Sequence, residues 1–139
     1  MLEKIESAVF DTHIWLRSSA GDRRFAALRN FRGVAIVSAI SVWEAAMLAT
    51  KGRIVLQPDI DRWIRANLQP PVRLEPIHPE ISIESCRLPD FHGDPADRII
   101  VAAALVLGAP LITADRAIAE WNTRHARLQL IGEAELTAE

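Results

Sequence analysis

The chain has 139 residues, 50% hydrophobic and 24% charged, a length and balance that fit one globular domain over residues 1–139. A net charge of −2 excludes a polybasic nucleic-acid or membrane-surface binder, and the single Cys86 excludes an internal disulfide. No apolar run reaches membrane-spanning length and no basic-then-apolar leader opens the chain, so the expected compartment is the reducing cytoplasm. The sixteen basic residues are fourteen Arg and two Lys (Lys4 and Lys51). Arg suits bidentate phosphate contacts, but the same bias follows from GC-rich coding.

Taken in order, Ser7-Ala8-Val9-Phe10 predicts a first strand with Asp11 at its carboxyl end, and Thr12 to Ser18 a short helix. Gly21-Asp22 is a break before a second helix reaching about Asn30, and Arg32-Gly33 a turn. Val34 to Val37 is a second buried strand, rich in β-branched residues. Ser41-Val42-Trp43-Glu44 fits the S-x-x-E capping box and opens a helix through about Thr50, which Lys51-Gly52 ends. Pro58-Asp59 starts a helix with Ile60, Ile64 and Leu68 on one face, stopped by Gln69-Pro70-Pro71. Val72 to Ile77 is a third strand, Pro79 to Cys86 a short helix, and Pro89 to Gly93 a loop.

The stretch from Gly93 to Asp115 (GDPADRIIVAAALVLGAPLITAD) is the most informative. Asp94 serves as N-cap, Pro95 takes the first helical position, and Asp97 falls in the first turn. Ile99 to Leu107 is almost wholly apolar, so this helix is buried on most sides, and Gly108 stops it. Leu111-Ile112-Thr113 is a short strand with Asp115 just past its end. Arg116 to Trp121 is a last helix, Leu128 to Ile131 a closing strand, and Gly132 onward a tail. This alternation predicts a three-layer α/β/α sandwich around a mainly parallel sheet of about five strands.

Four carboxylates occupy comparable positions: Asp11 after the first strand, Glu44 on the helix after the second, Asp97 on the buried helix, and Asp115 after the fourth. Strand carboxyl ends share one rim in a parallel sheet, and ligands collect there. Asp97 joins the group only if the Pro89–Gly93 loop returns the chain to that rim. Two unit charges about 5 Å apart repel by roughly 3 kcal/mol at an effective dielectric of about 20, so such a cluster selects for a divalent cation. Oxygen ligands without His or Cys favour Mg²⁺ or Mn²⁺ over Zn²⁺, and a hard cation so held suits phosphodiester hydrolysis. Each acid also has a structural reading as a helix cap or a partner of a helix dipole.

Ala8-Val9-Phe10-Asp11-Thr12-His13, Ser41-Val42-Trp43-Glu44, Asp94-Pro95-Ala96-Asp97-Arg98 and Leu111-Ile112-Thr113-Ala114-Asp115 resemble, in order, the four acidic motifs of PIN domains. The resemblance is strongest to VapC-type toxins of type II toxin–antitoxin pairs and runs from residue 8 to about 131. It implies that Asp11, Glu44, Asp97 and Asp115 form the catalytic quartet, with Asp11, Asp97 and Asp115 binding Mg²⁺ or Mn²⁺, Thr113 supporting the site and Asp94 close by. The implied activity is endoribonuclease cleavage of single-stranded stretches of RNA, commonly transfer or ribosomal. The implied partners are an antitoxin, whose C-terminal segment places an Arg among the acids in a cleft bordered by the helices of Trp15 and Trp43, and a second copy of the chain. The family motif often reads D-P-F-D-R, so Ala96 departs from it at a packing position.

Arg17, Arg23, Arg24, Lys51, Arg98 and Arg116 adjoin the motifs and are candidate phosphate ligands. His13 and His92 flank the acids and are read as positioning or solvated residues; the four Trp are read mostly as core anchors. Three other readings stay open. A receiver-like Mg²⁺-binding regulatory domain wants paired acids near the first strand and a late Lys, both absent here. A haloacid-type phosphatase wants D-x-D, and position 13 is His. A catalytically silent PIN-like binding module would keep the fold without the activity.

Overall fold

The computed structural model describes residues 1–21 and 23–138, with Arg23 known in backbone only. Asp22, half of the expected Gly21-Asp22 break, and Glu139 lie outside the described residues.

Five strands form one sheet in the order β3-β2-β1-β4-β5: β1 (Ser7–Phe10), β2 (Val34–Ser38), β3 (Val72–Glu75), β4 (Leu111–Ile112) and β5 (Leu130–Ile131). Every pairing is parallel, with Phe10 opposite both Val37 and Ile112, so the carboxyl ends of the three central strands are level. Strand alternation separates two cores. Ala8, Phe10, Ala35, Val37 and Ile112 face one, with Ile14, Trp15, Phe25 and Leu136. Val9, Ile36 and Leu111 face the other, with Ile100, Val101, Ala104, Ile118 and Trp121. A sheet apolar on both faces needs helices on both sides, hence the three layers.

The helices are α1 (Thr12–Ser19), α2 (Ala39–Thr50), α3 (Ile60–Ala66), α4 (Pro79–Ser85), α5 (Pro95–Leu107), α6 (Arg116–His125) and α7 (Glu133–Thr137). None among the described residues is long and apolar enough to cross a membrane. α5 begins at its expected cap: Asp94 Oδ1 accepts from the amides of Ala96 (2.9 Å) and Asp97 (3.2 Å). It ends at Gly108 in the left-handed conformation (φ +63°) that glycine adopts without strain. Ile100 to Ala104 are buried.

Several local expectations are corrected. The segment Arg23–Asn30 is not an α-helix but 3₁₀ turns broken at Phe25, whose ring is drawn into the core. α2 starts at Ser38, whose hydroxyl accepts from the Ile40 amide (3.2 Å), so Ser41 and Glu44 form no capping box; Ser41 is buried one turn inside. The third strand ends at Glu75 rather than Ile77, leaving Leu74 and Ile77 exposed. β5 holds only Leu130 and Ile131, and α6 extends to His125. The expected tail contains α7, held by Leu136, which is wholly buried. Gly33 fits where a side chain would not, because an added Cβ would meet the Ile5 and Glu6 carbonyls.

Candidate active site at the carboxyl rim of the sheet

Asp11 is the centre of the rim. Its amide donates to the Ile112 carbonyl (3.0 Å), continuing the β1–β4 ladder one residue past the strand. Its side chain then turns to cap α1, with Oδ1 accepting from the Thr12 amide (2.7 Å). Oδ2 accepts from the Thr113 hydroxyl (2.6 Å). That same hydroxyl accepts from the Asp115 amide (3.0 Å), so Thr113 ties the ends of β1 and β4 together. Asp11 is only 4% exposed, and burial pushes its carboxyl above the usual range, against the lowering effect of Thr113 and His13. Asp115 Oδ1 caps α6 through the Ile118 amide (3.1 Å).

Asp97 reaches the same neighbourhood. Burial raises its pKa to about 6, and the charges of Asp11, Asp94 and Asp115 push in the same direction. The Pro89–Gly93 loop returns the chain to the side of the rim, and two bonds fix it, with a third to the end of α4. Trp121 Nε1 donates to the Pro89 carbonyl (2.6 Å), Arg98 Nη2 to that of Phe91 (2.8 Å), and Arg98 Nη1 to that of Ser85 (3.3 Å). The His92 ring stacks on Phe91 (centroids 4.3 Å apart), and its Nε2 lies 2.8 Å from Asp97 Oδ2. His92 is thus a positioning residue for Asp97.

Glu44 lies three residues along α2 from Ser41. The Ser41 hydroxyl bonds that of Thr12 (2.7 Å) and pins this face of α2 beside the start of α1. The Glu44 carboxylate makes no hydrogen bond or ion pair among the described residues.

The basic residues divide. Arg17, Arg24 and Arg116 line a pocket of about 260 Å³ together with Asp11, His13, Asp115 and Glu133. The Arg17 guanidinium sits over the Phe25 ring at 5.5 Å. Arg98 is instead consumed by the loop carbonyls just named, with its guanidinium 5.7 Å from the Phe91 centroid. Lys51 caps the far end of α2, about 18 Å from the rim at 1.5 Å per residue. The Arg23 side chain lies outside what is described. Of the tryptophans, Trp15 and Trp121 are wholly buried and Trp43 is 59% exposed, leaving Trp43 as the large aromatic on the surface of α2. Trp63 meets Trp15 edge-on at 5.2 Å.

Sequence reasoning missed Glu133. It follows β5 by two residues and so obeys the rule that marked Asp11 and Asp115, and the closing strand is expected to end at Ile131, but Gly132 onward reads as a tail rather than as the helix that fixes Glu133. His92, expected to be a positioning or a solvated residue, is the former, and its bond to Asp97 is what decides between the two.

The donor set fits a hard divalent cation. Asp11, Asp97 and Asp115 offer only oxygen, and the raised Asp97 reflects burial first and the charges of Asp11, Asp94 and Asp115 second. Among the described residues no three His, Cys, Asp or Glu side chains are grouped closely enough to hold a metal ion between them. An ion such as Mg²⁺, which keeps much of its water and takes only one or two carboxylates, would not need such a group.

Comparison with known proteins identifies the family. Residues 8–122 match the family model described as the PIN domain. Ribonuclease VapC22 of Mycobacterium tuberculosis is 40% identical over 92 residues, covering 66% of this chain and 68% of the relative. A toxin–antitoxin complex from Klebsiella pneumoniae superimposes with a TM-score of 0.66 at 22% identity, covering 91% of this chain and 97% of that one. VapBC-1 from nontypeable Haemophilus influenzae gives 0.64 at 18% identity, over 92% and 98%. At these identities the two structures speak for the fold. The chain belongs to the PIN-domain family of nucleases and, within it, to the VapC type.

Proposed function

We propose that this chain is a Mg²⁺- or Mn²⁺-dependent endoribonuclease specific for single-stranded RNA, acting as the toxin of a toxin–antitoxin pair. Residues 1–139 form its single domain and the cytoplasm is its compartment. The observation that carries the reading is the buried Asp11 at the rim. Its carboxyl, like that of Asp97, is raised first by burial and further by neighbouring carboxylates, an unfavourable state for the charged form that a divalent cation would relieve. Asp11, Asp97 and Asp115 would hold the ion, which when bound would supply Lewis acidity toward the phosphate and lower the pKa of a bound water.

The chain's own residues do the rest. Thr113 and Thr12 fix Asp11, His92 fixes Asp97, and Asp94 starts the helix that carries it. Glu44 orients the attacking water and accepts its proton on a carboxylate oxygen. Arg17, Arg24 and Arg116 take the phosphates flanking the scissile bond. Transfer or ribosomal RNA is the target class. The partner is an antitoxin that covers the acidic rim beside Trp43, and two toxin copies pair.

The test is incubation of the purified chain with total RNA, with Mg²⁺, with Mn²⁺ and with chelator. Cleavage needs either cation and stops with chelator, and Asp11→Asn abolishes it while leaving the circular dichroism spectrum unchanged. Equal cutting by Asp11→Asn ends the mechanism; binding of RNA without any cutting favours a silent PIN-like module.

A further inference from the structure

β5 delivers a carboxylate to the rim as β1 and β4 do: Ile131 ends the strand, and Glu133 follows two residues later beside the pocket that Asp11 and Asp115 share. Its position is built. Leu136 anchors α7 in the core that also holds Phe25, and Gly132 donates its amide to Glu135 Oε2 (3.0 Å). Glu135, not Glu133, thus serves the cap. The Glu133 carboxylate makes no hydrogen bond or ion pair among the described residues. In that pocket it shares the walls with Arg17, Arg24 and Arg116.

Three arginines against three carboxylates fit neither simple ligand. A bare anion meets repulsion from Glu133, and a second cation meets repulsion from the arginines. A ribose–phosphate unit suits both signs of charge: anionic oxygens face Arg17 and Arg116, and a hydroxyl donor faces the Glu133 carboxylate. Inside a strand, the 2′-hydroxyl is the only hydrogen-bond donor outside the bases, and DNA lacks it. We infer that Glu133 accepts a hydrogen bond from a ribose 2′-hydroxyl, so that the arginine-lined pocket beside Asp11 and Asp115 distinguishes RNA from DNA. The inference rests on the nuclease reading above and adds a specificity-determining residue to it.

The experiment is equilibrium binding of the full chain, in chelator, to oligouridylate, its 2′-fluoro analogue and oligodeoxyuridylate of equal length. The three share one base and differ at the 2′ position. The wild-type chain binds the ribose form about tenfold more tightly than the other two, the size expected for a hydrogen bond to a charged acceptor. Glu133→Ala brings the three affinities together, and Glu133→Gln, which keeps a neutral acceptor, retains an intermediate preference. A Glu133→Ala chain that keeps the wild-type ratio overturns the inference. So does a wild-type chain that treats the ribose and fluoro forms alike, or binds none. Absence of cleavage with either cation beside a preserved ratio overturns the nuclease reading instead and leaves the role of Glu133 standing.

Discussion

Asp97→Asn is expected to stabilise the protein in chelator, which is unusual for a change at a helix start. The Asp97 carboxyl is raised to about 6 from 3.8, and its side chain is only 15% exposed. A shift of about two pK units makes the ionised form roughly 3 kcal/mol less favourable in the folded chain than in the unfolded one. Asn removes the charge but keeps an amide oxygen toward His92, at a loss of about 1 kcal/mol from the charge-assisted bond. The net gain is about 1–2 kcal/mol at pH 7.5, or roughly 3–6 °C in Tm for a chain of this size. Because the folded-state pKa of an acid is raised, wild-type stability falls as pH rises from about 4 to 6 and is fully reduced above that. The penalty on the charge is about halved at pH 5, so the advantage of Asn falls to roughly a third there and is gone near pH 4.5. Differential scanning calorimetry of both proteins across this range, in chelator, measures it. Added Mg²⁺ raises the wild-type Tm and leaves the variant's unmoved. A variant that melts below wild type at pH 7.5, or whose gain does not change with pH, refutes the account of Asp97 as a repelled, partly buried acid.

Thr113→Val is close in shape but leaves Asp11 Oδ2 and the Asp115 amide without their shared partner. Urea unfolding should show a loss of about 2–3 kcal/mol, and a loss under about 0.5 kcal/mol contradicts the tie between β1 and β4. Arg98→Ala and Arg116→Ala should separate structure from binding. The first costs about 1–3 kcal/mol of stability through the Ser85 and Phe91 carbonyls. The second leaves stability within about 0.5 kcal/mol and lowers the log–log salt slope of single-stranded RNA binding by about 0.7. The reverse pattern would reinstate Arg98 as a phosphate ligand.

Much of the fold could be read from the chain because its signals are local and agree. The β-branched run Val34–Val37, the Asp94-Pro95 start and the Gly108 stop each carry their own physical cause, and all recur in the structure. The failures occur where tertiary contacts decide. Ser41 and Glu44 satisfy a local capping pattern, yet Ser38 caps the helix, because Ser41 is taken inward by Thr12 across 29 residues of chain. α7 has five residues, too few to be stable from propensity alone, and exists because Leu136 is buried. Arg98 adjoins a motif in sequence, but the loop before it supplies carbonyls that no spacing reveals.

The site shows the same division more sharply. Asp11 and Asp115 are legible because a parallel sheet sends every strand end to one rim, a rule of topology rather than of side chains. Asp97 needs one further fact, that the Pro89–Gly93 loop doubles back, and that fact resides in Trp121 and the Phe91–His92 stack rather than in the acidic motif itself. Glu133 needs the most: beyond a closing strand that the sequence does mark, it needs a five-residue helix where the sequence reads as a tail, fixed by a single leucine. The legibility of each acid thus falls as its placement passes from the sheet to other contacts: Asp97 is placed through Trp121 and the Phe91–His92 stack, and Glu133 through Leu136.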